Sequence, residues 1–280
     1  MKRILIALLA VAIGLMGCTG NKATTGTDEV AVDSTETADT IAADSLEGEL
    51  TAEDMMPRGA DELFDDFIFN FAANRKLQLR RIQFPLPVSS DGQHSQWRKQ
   101  EWKMEHFFMQ QGYYTLLFDN EQQMELVKDT SVHHAVVERI MLDTKRVKQY
   151  VFDRIRGLWM LTAVEEQPLE DNHNASFLNF YQRFASDSVF QAASLNSTVQ
   201  FVGPDPDDDF AQMEGIITPD TWAAFAPELP SPMIYNIVYG EPKASEHQKI
   251  FVLRGIANGL EVQMTFRQSA GRWRLAKLTE

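Results

Sequence analysis

The sequence predicts an α+β fold built as two tandem domains, each with N-terminal helices packed on a curved antiparallel sheet. Three observations predict it. The line Phe64-Asp-Asp-Phe67-Ile-Phe-Asn-Phe71-Ala72 returns as Phe177-Leu-Asn-Phe180-Tyr-Gln-Arg-Phe184-Ala185, 113 residues further on. FDRIRGLWML (Phe152 to Leu161) returns as FRQSAGRWRL (Phe266 to Leu275), and both fit F-x4-G-x-W-x-L. Ahead of the second line, Leu260, Val262, Met264 and Phe266 alternate with Glu261, Gln263, Thr265 and Arg267, the pattern of a half-buried strand. Two units this large and this diverged read as two domains of one fold, not as a solenoid.

Each element follows in order. Phenylalanines at i, i+3 and i+7 form one helical stripe, and Ile68 or Tyr181 adds the i+4 position. Leu77-Gln78 and Phe190-Gln191 come next. Ile82-Gln-Phe-Pro85 then matches Val199-Gln-Phe-Val202, and Tyr114-Thr-Leu-Leu-Phe118 lines up with Tyr235-Asn-Ile-Val-Tyr239 as strands. Ser269-Ala270-Gly271 makes a turn in which Gly271 supplies a positive φ. The returning strand sends Trp273 and Leu275 to one face and Arg272 and Arg274 to the other. The junction is EQPLEDNHNAS (Glu166 to Ser176), where Pro168 breaks a helix and Asn174 or Ser176 caps the next. The expected domains are 59–167 and 168–280.

The N-terminal residues read as an address. Lys2 and Arg3 precede an apolar run, Ile4 to Leu15, too short to span a bilayer. It ends in Leu15-Met16-Gly17-Cys18, which resembles a lipobox. Residues 1–17 are then a lipoprotein signal peptide, and Cys18 is lipidated, with acyl chains such as palmitate, as the new N-terminus. Cys18 is the only cysteine, so its lipidation excludes a disulfide or a cysteine metal site. Residues 18–58 contain no aromatic residue and set ten acids against Lys22 and Arg58. Such a stretch buries too little apolar surface to offset chain entropy and reads as a disordered acidic tether, with a reach of roughly 35 Å or more. The first acid after Cys18 is Asp28, too distant for an acidic surface-export tag. That favours an outer membrane lipoprotein on the periplasmic face of the cell envelope.

All the aromatics (18 Phe, 6 Tyr, 5 Trp) lie from Phe64 onward. Each removes about 150–250 Å² from water when buried, enough for a core without staples. The net charge of −14 and scattered Arg and Lys exclude nucleic acid as a partner, since a duplex binder needs a basic face. The same charge leaves the acyl group on Cys18 as the membrane contact.

Together, the helix stripe, the strand order and the G-x-W hairpin resemble the nuclear-transport-factor-2-like, or cystatin-like, fold: a helix wrapped by a bent sheet into a cone. The lipobox, the acidic tether, "FxxFxxxFA…LQ…RIQFPL" (Phe64 to Leu86), "YYTLLFD" (Tyr113 to Asp119) and "YVFDRIRGLWML" (Tyr150 to Leu161) resemble the domain-of-unknown-function family 4348. The likeness covers about Asp61 to Glu280 and implies lipoproteins of anaerobic Gram-negative bacteria. It supplies no activity and no catalytic residues.

Single residues mark no reaction. Asp119, Glu138, Asp143 and Asp153 lie on or beside strands with tyrosines nearby, but no spacing marks a catalytic pair, and they read as ordinary surface carboxylates. His133 and His134 are adjacent, so a regular strand points them to opposite faces and they cannot chelate one ion. His94, His106, His173 and His247 show no ligand spacing. Gly203-Pro-Asp205-Pro-Asp207-Asp208-Asp209-Phe210 is the densest acidic cluster of the folded part. It departs from a calcium loop at Phe210 and Ile216 and reads as a solvated turn between strand and helix. Trp97, Trp102, Phe107 and Phe108, beside Arg98, Lys99 and Lys103, read as a helix covering the sheet. Met233 and Tyr235 follow a rigid approach through Pro227, Pro230 and Pro232 and form no recognition motif.

The sequence therefore predicts no catalytic, metal or cofactor site, and its one assigned site is Cys18. It favours a non-catalytic, lipid-anchored binding or scaffold module that takes a small apolar ligand or an envelope protein. The rival is a small-molecule isomerase or hydrolyase-type enzyme using a cone pocket around a desolvated carboxylate.

Overall fold

The computed structural model describes residues 58–205, 207–241 and 247–280. The expected signal peptide, Cys18 and residues 18–57 of the expected tether lie outside the described residues.

The phenylalanine stripes form helices. α1 (Phe64–Ala73) buries Phe64, Phe67, Ile68, Phe71 and Ala72, the set that a 3.6-residue period puts on one face. A short helix, α2 (Arg75–Arg80), follows at once. Asn74 breaks the run between them with extended dihedrals (φ −126°, ψ 109°) and accepts the Leu77 N–H on its side chain. Further along, a single turn forms α3 (Glu121–Met124). The second half repeats the opening device. α4 (Ala175–Ser186) buries Phe177, Leu178, Tyr181 and Phe184. Asp187 (φ −127°, ψ 100°) breaks the run and caps α5 (Ser188–Ala193) by accepting the Phe190 N–H.

The strands join in a 12-stranded sheet. The first half contributes β1 (Leu86–Ser90), β2 (Gln93–Trp97), β3 (Tyr113–Phe118), β4 (His134–Met141), β5 (Arg146–Ile155) and β6 (Leu158–Pro168). The second contributes β7 (Leu195–Asp205), β8 (Asp208–Ile217), β9 (Met233–Tyr239), β10 (Gln248–Gly255), β11 (Glu261–Ser269) and β12 (Arg272–Thr279). Their order is β2-β1-β6-β5-β4-β9-β3-β10-β11-β12-β7-β8. It reads the same from either edge once β1–β6 are interchanged with β7–β12.

The middle of that order carries the main surprise. β4 does not pair with β3, the strand before it; it pairs with β9, with Glu138 opposite Asn236. β10 likewise passes over β9 and pairs with β3, with Leu253 opposite Thr115. β3 and β9 lie side by side in parallel, Thr115 opposite Asn236. Each half thus lends its third strand to the other, and the sheet runs on through the junction at 167/168. The expectation of antiparallel pairing throughout is corrected at three places, since β1–β6, β7–β12 and β3–β9 are parallel. Opposite direction is forced only where a tight turn joins neighbours, and none joins these pairs.

Both G-x-W lines are hairpins. Arg156-Gly157 (φ 53° and 83°) and Ala270-Gly271 (φ 49° and 73°) turn them, with positive φ at both central residues as a two-residue turn of the right twist requires. A register shift falls at Val151/Phe152 in one hairpin and at Thr265/Phe266 in the other, and such bulges bend the sheet at the same depth in each half.

The sheet carries a core on each face. One gathers Phe64, Phe67, Phe71, Phe107, Phe152 and Trp159; the other gathers Phe177, Tyr181, Phe184, Phe251, Phe266 and Trp273. Central strands serve both. Tyr114, Leu116 and Phe118 of β3 face the first core, whereas Tyr113 and Leu117 face the second. Strands covered on both sides need near-continuous apolar runs, which YYTLLF and MIYNIVY supply apart from Thr115 and Asn236.

Three sequence expectations are corrected. Tyr114 and Tyr235, which line up in sequence, both enter the first core, because in-register parallel neighbours show the same face; equivalent positions on β3 and β9 are offset by one from the sequence match. The aromatic stretch from Trp97 is not a helix: Trp97 ends β2, Trp102 is buried in an irregular segment, and Phe107 and Phe108 enter the core from a 3-10 turn, Phe107–Gln110. The acidic cluster joins two strands, β7 and β8, rather than a strand and a helix.

Candidate functional site

Two of the four carboxylates named from sequence meet on the second-core face of the central strands. Glu138 of β4 is fully buried and Asp119 is buried too, which corrects the expectation of surface carboxylates for these two. Oε1 accepts hydrogen bonds from Gln149 Nε2 (2.9 Å) and Asn172 Nδ2 (2.7 Å), and Oε2 accepts one from Asn236 Nδ2 (2.9 Å). Gln149 and Asn236 are its cross-strand neighbours on β5 and β9, so register places two of the three amides, and Asn172, from the turn ahead of α4, supplies the third. Glu138 forms no ion pair among the described residues.

Asp119, just beyond β3, is paired differently. Its Oδ1 meets Lys249 Nζ of β10, and both side chains are buried. Gln123 of α3 closes the other side, accepting the Asp119 N–H (2.6 Å) and donating to Oδ2 (3.3 Å). His173 and Asn174, just ahead of α4, complete the group. Burial drives the His173 pKa below its ordinary value, assisted by the charge of Lys249 and opposed by Glu138 and Asp119, so the ring is neutral near pH 7. Asn174 occupies the cap position of α4 but caps nothing through its side chain. Its amide donates to His173 Nε2 (2.8 Å), and among the described residues neither its buried Oδ1 nor Asn236 Oδ1 has a partner.

Between Asp119, His173, Asn174 and Lys249 lies a cavity of about 30 Å³. It has room for about two waters and none for an organic substrate. A carboxylate held by a lysine and another wrapped in amides are satisfied groups, not poised bases. Their evident role is to pair strands of opposite halves, since Glu138–Asn236 and Asp119–Lys249 both cross between them.

The first-core face holds a counterpart group. Tyr239 Oη donates to Asp65 Oδ1 of α1. Burial pushes the Asp65 carboxyl above its ordinary value, against the hydrogen bond from Tyr239 and the charge of Arg254. Burial likewise drives the Tyr239 hydroxyl far up, with Asp65 adding to it. Arg254 pairs with Glu261 at 2.8 Å and reaches the Tyr114 hydroxyl at 3.5 Å.

The other residues named from sequence stay apart. Asp143 is exposed. Asp153 bonds His134 Nδ1 (2.8 Å) and accepts from the Thr162 hydroxyl (2.6 Å); burial works against its charge, but these two partners hold its pKa below the ordinary value. His133 is exposed where His134 is half-buried. Met233 receives the Arg139 Nε–H on its sulfur (3.2 Å). Among the described residues no group of three or more His, Cys, Asp or Glu side chains is placed to hold a metal ion.

Sequence reasoning missed one repeated bond. Gln78 Oε1 accepts the Trp102 indole N–H at 3.0 Å, and Gln191 Oε1 accepts that of Trp222 at 3.1 Å. The glutamines stood in the matched lines; their tryptophans sit in unmatched loops, so only coordinates join them.

Larger cavities are open grooves on the outside. One of about 540 Å³ runs over β1, β2 and β6, and one of about 740 Å³ over β7, β8 and β12. Another, of about 460 Å³, lies where α4 and α5 meet the β11–β12 turn, between Phe180, Phe190, Arg272 and Arg274.

Helices laid over a bent mixed sheet around filled aromatic cores define an α+β body of the nuclear-transport-factor-2-like class. The chain is similar to a crystallised NTF2-like protein from Bacteroides fragilis NCTC 9343, with 42% identity and a TM-score of 0.73 over 80% of this chain and 98% of that one. The family model described as "Domain of unknown function (DUF4348)" matches residues 42–280, and the chain belongs to that family. No curated protein matches it.

Proposed function

We propose that this chain is a lipid-anchored envelope lipoprotein whose duplicated body works as a non-catalytic binding or scaffold module. In this reading residues 1–17 are removed, Cys18 carries the acyl anchor, and residues 18–58 tether the body at the periplasmic face of the outer membrane. Residues 59–167 and 168–280 are two copies of one unit. Supporting the duplication, the helix pairs, bulges, hairpin turns and Gln–Trp bonds recur in the same order.

The observation behind a binding role is the filled interior. In the first core Phe152 lies edge-on to Phe64, Phe67 and Phe71, with centroids 5.3, 5.8 and 5.3 Å away. In the second, Phe184 and Phe177 stand 5.1 and 5.3 Å from Phe266. An isomerase or hydrolyase-type site would need an open pocket around a desolvated carboxylate. The groups that come nearest, Glu138 and Asp119, are closed in. What the molecule offers a partner is its outer grooves.

Native mass spectrometry of the full-length chain extracted from envelope membranes tests the reading. The expected mass is that of residues 18–280 plus acyl chains, with non-covalent adducts shed on gas-phase activation. A mass retaining residues 1–17, or lacking acylation, contradicts the anchored reading.

A further inference from the structure

The two halves differ at one corner, and the difference makes a site. Leu161 N donates to Arg81 O (2.8 Å) in the first half, and Leu275 N donates to Ser194 O (2.9 Å) in the second. Arg81 and Ser194 therefore occupy equivalent places, at the end of the short helix beside the tryptophan of the G-x-W hairpin.

In the first half the corner is full. The Arg81 guanidinium lies 5.8 Å from the centroid of the Phe67 ring, donates to both oxygens of Asp61 (2.9 and 2.7 Å) and reaches Trp159 O (3.3 Å). In the second half Ser194 replaces Arg81, and Asn174 stands 113 residues after Asp61. Both members of the ion pair are gone. What opens is the groove of about 460 Å³, within the size range of small-molecule pockets. Phe180, the counterpart of Phe67, is half-buried and lines it with Phe190.

The charge differs too: a balanced pair gives way to an unbalanced positive corner. Arg272 and Arg274 stand where the first hairpin has Leu158 and Met160. Arg274 Nη1 donates to the carbonyls of Leu195 (2.9 Å) and Ala193 (3.4 Å), which fixes its guanidinium against the groove. Arg272 is exposed. Among the described residues neither has an acid partner and no carboxylate lines the groove, on a chain of net charge −14. Guanidinium forks recognise carboxylates through paired hydrogen bonds; Arg183 already lies over the Phe190 ring, 4.2 Å from its centroid, so Phe180 and the part of Phe190 that lines the groove take a flat apolar body.

We propose that this groove binds a small aromatic carboxylate, its ring on Phe180 and Phe190 and its carboxylate at Arg272 and Arg274. The proposal rests on the reading of the chain as a binding module and names the ligand class and place. The filled cores and the Cys18 anchor stand or fall on other measurements.

Calorimetric titration of the full-length chain with 1-naphthoate, and separately with the neutral 1-naphthamide, tests it. Saturable one-to-one binding of the acid is expected, with the amide at least ~10-fold weaker. Arg272→Glu should weaken naphthoate at least ~10-fold with an unchanged thermal midpoint, since this exposed side chain supports nothing else. Ser194→Arg, which installs the first half's occupant, should abolish binding; if that variant fails to fold, Arg272→Glu decides. Absence of naphthoate binding, or binding equal for acid and amide and indifferent to Arg272→Glu, overturns the proposal.

Discussion

Glu138 of β4 and Asn236 of β9, joined by a 2.9 Å hydrogen bond, come from opposite halves of the chain. The bond lies between two strands that are not successive in sequence and replaces the hairpin that β3 and β4 would have made. Buried polar pairs often contribute little net stability, but they penalise alternatives that leave them unpaired. Here that penalty selects one strand order. Glu138→Ala would strand three amide donors inside the fold and should cost about 3 kcal/mol or more, read as a lower urea midpoint with an unchanged denaturant slope. A loss under about 1 kcal/mol would mean that the network fixes nothing.

Lys249 and Asp119 secure the other exchanged pair, β10 with β3. Removing the lysine leaves a buried carboxylate without its cation. Lys249→Met should cost about 3–5 kcal/mol. Adding Asp119→Asn should restore most of that loss, because the uncompensated charge is then gone. Denaturant melts of both variants check it, and failure of the second substitution to restore stability removes the ion pair from the account.

Asp65 gives a pH signature. Its folded-state pKa is raised above the unfolded value, chiefly by burial. The folded chain therefore keeps a proton that the unfolded chain has lost. The stabilisation is full below the ordinary carboxylate value of about 3.9 and is lost as pH rises through the raised folded value. Asp65→Asn can still accept the Tyr239 hydroxyl and abolishes the titration. Its thermal midpoint relative to the parent should thus improve from about pH 4 to about pH 7; a constant difference would contradict the assignment.

Much of the architecture was legible because periodicity records it. The stripe of Phe64, Phe67 and Phe71, its return at Phe177, and the two G-x-W hairpins state which residues turn inward and where the chain reverses. Pairing of strands far apart in sequence leaves no such record. The run Tyr114 to Phe118 is equally suited to lie beside β4 or β10, since a strand buried on both faces is apolar on both, and that ambiguity hid the exchange and the one-residue offset. Glu138 and Asp119 were singled out as carboxylates near strands, but their partners Asn236 and Lys249 lie 98 and 130 residues away. The groove at Arg272 was less visible still. The sequence showed two arginines on the polar face of a strand; only the filled corner around Arg81 shows what Ser194 leaves open.

The two cores predict additive damage. Phe152 touches Phe64, Phe67, Phe71 and Phe107, whereas Phe266 touches Phe177, Phe180 and Phe184. They share none of these partners. Phe152→Leu and Phe266→Leu should each cost about 1–3 kcal/mol, and the double variant should lose their sum within about 0.5 kcal/mol. Strong non-additivity would place the two rings in one cooperative cluster.

The exchange of third strands is most directly tested by an engineered disulfide. Met141 of β4 faces Met233 of β9, at half-buried positions where antiparallel neighbours come within bridging distance. Without the exchange, Met141 would instead face Tyr113, because Gly255, its counterpart on β10, faces Tyr113 on β3. In a Cys18→Ser background, Met141→Cys with Met233→Cys should oxidise to a single linked species, seen as a cross-linked peptide pair by mass spectrometry. Met141→Cys with Tyr113→Cys should stay reduced. The reverse outcome, a bond between 113 and 141 and none between 141 and 233, would contradict the exchanged sheet.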